Sequence, residues 1–195
     1  MGRGVVIDCG VKITNPAWVK IGSNTWIDNY VVILAGPVTR KGGVYIRKGP
    51  ATDLVEGEVR IGSNCHIAPF VVLQGHGGMR IGSGVTVASG AKLYSLSHHY
   101  RNVGDPEDTR RYKFSSMVPP EEQALISAAV VVGESAAIGL NSVLLPGSAI
   151  GDEAWIGACS VIRGTVPPGA VWSVIQPAAS SEGGILRGAQ GTPVQ

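Results

Sequence analysis

An aliphatic residue returns every six positions along most of this 195-residue chain. The longest unbroken series is Val132, Ile138, Leu144, Ile150, Ile156 and Ile162. A period of six fits neither the 3.6-residue repeat of an α-helix nor the two-residue alternation of a simple strand. It fits a short strand plus a tight turn, repeated three times per coil of a solenoid. An ordinary β-sandwich, the alternative, would have to produce this register by chance between irregular turns.

Two earlier blocks carry the same period. They contain Ile7, Ile13, Ile21, Ile27 and Ile33, and then Ile61, Ile67, Leu73, Ile81, Val87 and Leu93. Two steps, from Ile13 to Ile21 and from Leu73 to Ile81, are eight residues long, as expected where a corner takes two extra residues. Glycine often follows the aliphatic residue, and a small or β-branched residue stands four places after it. We expect the aliphatic side chains to point inward, the small residues to fill the corners, and the glycines to relax the backbone there. With one strand spacing per coil, roughly six coils would make a prism about 30 Å long.

The amino-acid composition agrees with such a fold and disfavours several other classes of protein. The chain has 28 glycines but only 6% aromatic residues, which suits many tight turns and disfavours a helical bundle. Its net charge of +2 is too small to indicate a nucleic-acid surface. Three cysteines without CxxC spacing, Cys9, Cys65 and Cys159, favour reduced thiols and a cytoplasmic location. No apolar run predicts a membrane span or a signal peptide.

Two segments leave the six-residue register, at residues 34–60 and 98–129. The first carries basic residues around Gly42-Gly43, which predicts an excursion loop that turns as a hairpin there. It is either a solvated basic loop or a contact for an anionic ligand. The second is polar and long, which is typical of functional loops. We therefore expect one β-helix domain over residues 1–179 and a flexible tail over residues 180–195.

The register separates the two adjacent histidines, His98 and His99. Counting from Leu93, Ser97 would take the inward small position and His98 an outward position at the mouth of the second loop. His99 would stand where the next inward aliphatic residue belongs. Imidazole is the natural general base near neutral pH. His98 is therefore the predicted base, and His99 is the alternative.

The other two histidines carry weaker signals. His66 occupies an ordinary outward position and is predicted to be a surface residue. His76 lies between Gly75 and Gly77, and is either a corner-turn residue or a contact for an acceptor substrate.

The segment AKLYSLSHHY resembles the stretch of maltose, galactoside and polysaccharide O-acetyltransferases that ends in a catalytic histidine, which falls on His98. The preceding GHGGMRIG resembles the same region of bacterial polysaccharide acyltransferases. The likeness to this hexapeptide-repeat acyltransferase family covers about residues 60–180. It implies an all-β fold, a left-handed parallel β-helix, and the handedness comes from the resemblance alone, since ordinary parallel crossovers are right-handed.

The resemblance also implies a reaction: direct transfer of an acetyl group from acetyl-CoA to a sugar-like acceptor, in a homotrimer with active sites between subunits. His98 would be the base, the backbone N–H of Leu140 would stabilise the oxyanion, and no metal is expected. His76 and His99 would contact the acceptor. Acetyl-CoA would lie along Gly139, Gly157, Ala158 and Arg163.

Some positions depart from the family pattern. Ala137 replaces the usual tryptophan, Gly164 the usual lysine, and Gln176 and Ala179 the glycine and the basic residue of the closing motif. These departures bear on affinity for CoA more than on the fold, and they keep a non-catalytic β-helix scaffold open as an alternative.

A metal enzyme like the γ-type carbonic anhydrases is a further alternative on the same prism. Those enzymes need three histidines around zinc, two of them spaced H-x4-H. The close pair here, His98-His99, is adjacent instead. The acceptor also stays open, between a sugar hydroxyl, a nucleotide-linked amino sugar and a glycoside.

Overall fold

The computed structural model of the chain describes residues 1–38 and 41–173. Two 3-10 helices lie at Pro16–Trp18 and Pro120–Glu122. The strands, in chain order, are β1 Val6–Ile7, β2 Lys12–Thr14, β3 Val19–Ile21, β4 Trp26–Ile27, β5 Val32–Leu34, β6 Val44–Ile46, β7 Val59–Ile61, β8 His66–Ile67, β9 Val72–Gln74, β10 Met79–Ile81, β11 Thr86–Val87, β12 Lys92–Tyr94, β13 Leu96–His99, β14 Ala124–Ser127, β15 Val130–Val132, β16 Ala137–Ile138, β17 Val143–Leu144, β18 Ala149–Ile150, β19 Trp155–Ile156, β20 Val161–Ile162, β21 Thr165–Val166 and β22 Val171–Trp172.

Three parallel sheets form the walls of a prism. The first wall contains β1, β4, β8, β11, β16, β19 and β22; the second contains β2, β5, β9, β12, β17 and β20; the third contains β3, β7, β10, β15, β18 and β21. Consecutive strands of the repeat therefore pass from wall to wall, and each strand pairs with the strand one coil away. This is the predicted left-handed parallel β-helix.

The aliphatic repeat is the core, as predicted, except in the first coil, where Ile7 is 40% exposed and Ile13 is only partly buried. In the first wall Ile67, Val87, Ile138 and Ile156 pair in one continuous ladder. The five residues from Ile138 to Ile162 in the longest series are each at most 2% exposed. Burial of each such side chain contributes roughly 1.5–3 kcal/mol relative to exposure.

The glycine that follows the aliphatic residue has a different role from the predicted one. Left-handed backbone falls two residues later, at positions such as Asn24 and Asn64, whereas Gly22 and Gly62 are not left-handed. A Cβ built on Gly62 would lie 2.5 Å from the backbone nitrogen of Ser83 in the next coil. The close approach of stacked coils, and not backbone freedom, is therefore what requires glycine there.

The first excursion leaves the prism after β5 and returns at β7. Among the described residues no strand lies between β5 and β6, so the predicted hairpin at Gly42-Gly43 is not found there. Instead β6 pairs in parallel with β14, with Val44 opposite Ala124. The second excursion supplies the partner strand, and a sequence pattern within the first loop could not reveal it.

The second excursion leaves after β12 and returns at β15. Its ends pair antiparallel as β13 and β14, which gives a three-stranded sheet in the order β13-β14-β6. Ser97 lies in β13 opposite Ile126, outside the prism, so its predicted inward position is wrong. Pairing with β14 removes β13 from the coil stack, and the two-residue alternation of a strand replaces the six-residue register.

A buried carboxylate fixes the point where the first excursion rejoins the third wall. Glu58 is 5% exposed and pairs with Arg60 at 2.7 Å and Lys20 at 2.8 Å. It also accepts the backbone N–H of Val55. The Arg60 guanidinium, as the largest influence, lowers the pKa of Glu58 to about 2. The carboxylate therefore stays charged and joins the loop to the wall.

Replacing Gly62 with alanine should destabilise the prism, because the added Cβ would meet backbone that cannot move away. We expect a loss of about 1–3 kcal/mol in the free energy of unfolding, measured by chemical denaturation. Gly104→Ala is the matched control, since a Cβ at Gly104 makes only ordinary contacts. Equal effects of the two substitutions would contradict the close-stacking explanation.

Candidate active site

His98 and His76 line one cavity of about 190 Å³ beside the three-stranded sheet. His98 comes from β13, and His76 comes from the turn between β9 and β10. Both side chains are half-buried. The other lining residues are Val38, Gln74, Leu96, Ser97, Ser116, Gln123 and Leu125. Two of the residues predicted for the site are thus brought together, although 22 positions separate them in sequence.

Each of these histidines has one ring nitrogen tied to the protein. Nε2 of His98 lies 3.3 Å from Oε1 of Gln123. Nδ1 of His76 lies 2.8 Å from the carbonyl oxygen of Gly36. A carbonyl only accepts, so Nδ1 of His76 carries the hydrogen and its Nε2 keeps a lone pair in the neutral ring. A half-buried imidazole with an available lone pair can accept a proton from a substrate.

His99 faces the opposite side of the three-stranded sheet. Adjacent residues of a strand point to opposite faces, so β13 directs His98 and His99 apart. His99 lines a second, larger cavity of about 630 Å³ together with Lys48 and Arg163. Its Nδ1 lies 2.7 Å from the carbonyl oxygen of Arg101. The two histidines therefore belong to different cavities.

Positive charge collects around the larger cavity. Neither Lys48 nor Arg163 forms an ion pair with any described residue, and no acidic residue lines the cavity. Next to His99, the guanidinium groups of Arg101 and Arg111 lie 5.3 and 5.2 Å from the ring centroid of Tyr100. This arrangement favours an anionic ligand. Of the adjacent basic residues of the first excursion, Lys48 lines this cavity, whereas Arg47 pairs with Glu56 at 2.8 Å.

Leu140, Gly139, Gly157 and Ala158 lie at a different corner of the prism. Gly139 and Leu140 follow β16, at the edge between the first and second walls, and Gly157 and Ala158 stack on them one coil later. Among the described residues, none accepts a hydrogen bond from the backbone N–H of Leu140. That N–H is available to an oxyanion. A Cβ on Gly139 would meet the backbone of Ala158 at 2.5 Å, so coil stacking alone already explains this glycine.

The corner that carries His98 is the one between the second and third walls, where both excursions leave. Arg163 lies at this corner, because it follows β20 of the second wall. One subunit therefore keeps His98 and Arg163 on one edge of the prism and Leu140 on another.

One departure from the family pattern has a local explanation, and another falls outside the described residues. At Gly164 the φ angle is +90°, a left-handed conformation that disfavours the lysine expected there. Gln176, Ala179 and the predicted tail, residues 180–195, lie outside the described residues.

A buried carboxylate orders the long arm between β13 and β14. Asp108 accepts hydrogen bonds from Arg110, from Asn102 and, at 2.5 Å, from the Tyr112 hydroxyl. The Arg110 guanidinium, followed by the Tyr112 hydroxyl, holds the pKa of Asp108 far below its usual range. Burial, followed by the bond to Asp108, raises the pKa of the Tyr112 hydroxyl. The charged cluster therefore fixes the segment that follows His99.

Several residues of the site carried no signal in the sequence. Gln123 stands 25 positions after His98, outside any repeat, and meets it only because β13 pairs with β14. Gln74 bonds the main chain of Leu96 through both ends of its amide. Tyr100, with its two arginines, lies in the excursion and follows no periodic pattern.

The γ-type carbonic anhydrase alternative requires a cluster of metal-ligating side chains. Within residues 1–38 and 41–173, no three His, Cys, Asp or Glu side chains come close enough to hold a metal ion. In the same ranges, no helix has the length and apolar character needed to cross a bilayer.

Removing the Asp108 carboxylate should loosen the arm, because Tyr112 and Asn102 would lose their buried acceptor. We expect Asp108→Ala to speed hydrogen exchange across residues 100–118. Asp105→Ala is the control: Asp105 is exposed and its side chain bonds only within its own turn. Unchanged exchange in the Asp108 variant would show that other contacts hold the arm.

The comparisons with known proteins agree with this architecture. The chain is 30% identical over 115 residues to a putative lipopolysaccharide biosynthesis O-acetyl transferase of Escherichia coli K12, covering 59% of this chain and 56% of the relative. It is 27% identical over 145 residues to the dTDP-4-amino-4,6-dideoxy-D-glucose acyltransferase of Escherichia coli, covering 74% and 62%. The chain thus spans less than two thirds of either relative. No protein-family model matches the sequence.

Solved structures share the fold. The N-acyltransferase AntD from Bacillus cereus, crystallised with dTDP and 3-hydroxybutyryl-CoA, superposes with a TM-score of 0.68 at 20% identity, covering 89% of this chain and 77% of AntD. At that identity the likeness establishes the fold. In sequence the chain is thus similar to sugar acyltransferases, and in fold it is similar to AntD.

Proposed function

We propose that this chain transfers an acetyl group from acetyl-CoA to a hydroxyl or amine of a sugar-like acceptor. The cavity that His98 shares with His76 carries the proposal, because it offers proton-accepting nitrogens on a fold shared with acyltransferases. One relative is named for O-acetyl transfer in lipopolysaccharide biosynthesis and the other for acyl transfer to dTDP-4-amino-4,6-dideoxy-D-glucose, which supports an acceptor of the sugar class.

The residues suit a direct transfer. His98 takes the proton of the acceptor hydroxyl or amine, whose oxygen or nitrogen bonds to the thioester carbonyl carbon. A backbone N–H, that of Leu140, donates to the oxyanion. The carbon–sulfur bond then breaks, and the CoA thiolate takes the proton from His98. No covalent enzyme intermediate is required.

The larger cavity is the proposed site for the phosphates of acetyl-CoA. Lys48, His99 and Arg163 line it, and the described residues leave the charges of Lys48 and Arg163 unpaired. A phosphate would supply the missing negative charge. Gly139, Gly157 and Ala158 are the proposed contacts of the pantetheine arm, through backbone groups.

The positions of these groups support an assembly of subunits, and its proposed form, a homotrimer, is the one that the family resemblance implies. His98 and Leu140 lie on different edges of one prism, so a neighbouring subunit would have to bring its Leu140 edge to His98. That edge is apolar: Tyr30 and Phe70 stack on it at 5.5 Å and are 53% and 61% exposed. Leu140 is also exposed, and such a patch favours association with a second copy.

We further propose residues 1–179 as the acyltransferase domain and the cytoplasm as its location. The free thiols Cys9, Cys65 and Cys159 suit a reducing compartment. The identity of the sugar and the choice between a hydroxyl and an amine are left to a substrate screen with mass measurement of the products.

Replacing His98 with asparagine should lower turnover by about 10²-fold or more, because the proton acceptor is lost. Binding of acetyl-CoA should persist, measured as a rise in melting temperature on adding the donor. His99→Asn is the matched variant: we expect weaker donor binding with turnover changed less than tenfold, since His99 faces the donor cavity.

If His99 were essential for transfer and His98 dispensable, the general base would be His99, on the other side of the three-stranded sheet. If neither substitution mattered and acetyl-CoA gave no stabilisation, the scaffold alternative would replace the enzyme.

Light scattering should give three times the 20.2 kDa mass of one chain. Phe70→Glu should reduce that mass to a single chain, because it would bury a charge in the proposed interface. Val55→Glu is the control: Val55 is 57% exposed but lies in the first excursion, away from this edge. A wild-type mass of one chain at micromolar concentration would contradict the trimer.

A further inference from the structure

Gln123 is a buried polar residue at the end of the 3-10 helix Pro120–Glu122. It is 1% exposed, although it lies between two surface excursions. Its backbone N–H donates to Pro120 at 2.9 Å, and its backbone carbonyl accepts from Val44 of β6 at 3.0 Å. The main chain therefore fixes where the side chain begins, and β6 of the first excursion helps to hold it.

The amide of Gln123 has one orientation. Its Nε2 donates to the carbonyl oxygen of Val118 at 2.6 Å. A carbonyl cannot donate, so the NH2 end must face Val118 and the oxygen end must face His98. Oε1 lies 3.3 Å from Nε2 of that ring. An amide oxygen only accepts, so Nε2 of neutral His98 carries the hydrogen and Nδ1 keeps the lone pair.

No carboxylate competes for this ring. The cavity lining contains no acidic residue, and His76 is its one other ionisable residue. Tyr45 of β6 pairs with Leu125 on the His98 face of the sheet, and its hydroxyl donates to Val38. Among the described residues, His98 makes no side-chain hydrogen bond besides that to Gln123. The orientation of the ring therefore depends on one neutral amide.

We propose that Gln123 is the positioning residue of His98, and that the buried amide reserves Nδ1 as the nitrogen that receives the acceptor proton. The effect of this hydrogen bond on catalysis rests on the proposed function, whereas the tautomer of His98 does not depend on that function. The acceptor proton goes to Nδ1 while Nε2–H stays bonded to Gln123. The resulting imidazolium is stabilised by the same oxygen, and Nδ1 returns the proton to the CoA thiolate.

The tautomer can be measured on the full chain without any substrate. In long-range ¹H–¹⁵N spectra of protein labelled at histidine, with His98→Asn used to assign the signals, we expect His98 to show a protonated Nε2 and an unprotonated Nδ1. Gln123→Met removes the acceptor at similar length and should give a mixture of tautomers. A wild-type ring protonated at Nδ1, or an unchanged tautomer in Gln123→Met, would overturn the proposal.

Gln74→Met is the matched control, because Gln74 lines the same cavity but bonds the main chain of Leu96 instead of His98. It should leave the His98 tautomer unchanged; an equal change in both variants would mean that general loosening, and not Gln123, sets the ring.

In transfer assays Gln123→Met should lower kcat by about two- to tenfold, the value of one neutral hydrogen bond, at unchanged KM for acetyl-CoA. A rise in KM with kcat unchanged would contradict a role through His98. If no transfer occurs even in the wild type, the proposed function fails while the tautomer result stands.

Discussion

Hydrogen bonding between coils stacked one strand spacing apart is the constraint on which this molecule depends. Every wall strand pairs in parallel with its neighbours in register, so equivalent positions of successive coils must be compatible with one another. Inward positions then form aliphatic ladders such as Ile33, Leu73 and Leu93. At the corner after the third wall, the residue that follows the ladder comes so close to the next coil that a Cβ on Gly62 or Gly82 would lie 2.5 or 2.7 Å from backbone. The spacing between stacked coils thus determines which residues fit in the core and which fit at the corners.

A uniform stack of this kind has a filled interior, so binding sites must arise where it is interrupted. Both interruptions occur at the edge between the second and third walls, and they pair with each other as β6, β14 and β13. The resulting small sheet separates two cavities. One side holds His98 and His76, and the other holds His99, Lys48 and Arg163. The alternation of a single strand, β13, therefore separates the proposed site of proton transfer from the proposed site of phosphate binding.

The His98 cavity also differs in charge from the excursions that surround it. Around the His98 cavity the hydrogen-bond partners are neutral, namely the Gln123 amide and the Gly36 carbonyl. The carboxylates of the excursions are used instead as anchors: Glu58 bonds Arg60 at the prism wall, and Asp108 bonds Arg110 in the arm. The paired carboxylates hold the excursions that enclose this cavity, and none of them lines it.

The sequence by itself determined the prism and its core, because a six-residue period is a local property that every coil repeats. It also indicated His98 and His76 through short segments, a basic first excursion through charge, and Arg163 through resemblance. The pairing of β6 with β14, the departure of Ser97 from the register and the approach of Gln123 to His98 were decided only by the tertiary structure. Each joins segments far apart in the chain whose sequences share no period, and the strand partner of an irregular loop depends on which other loop lies beside it in space.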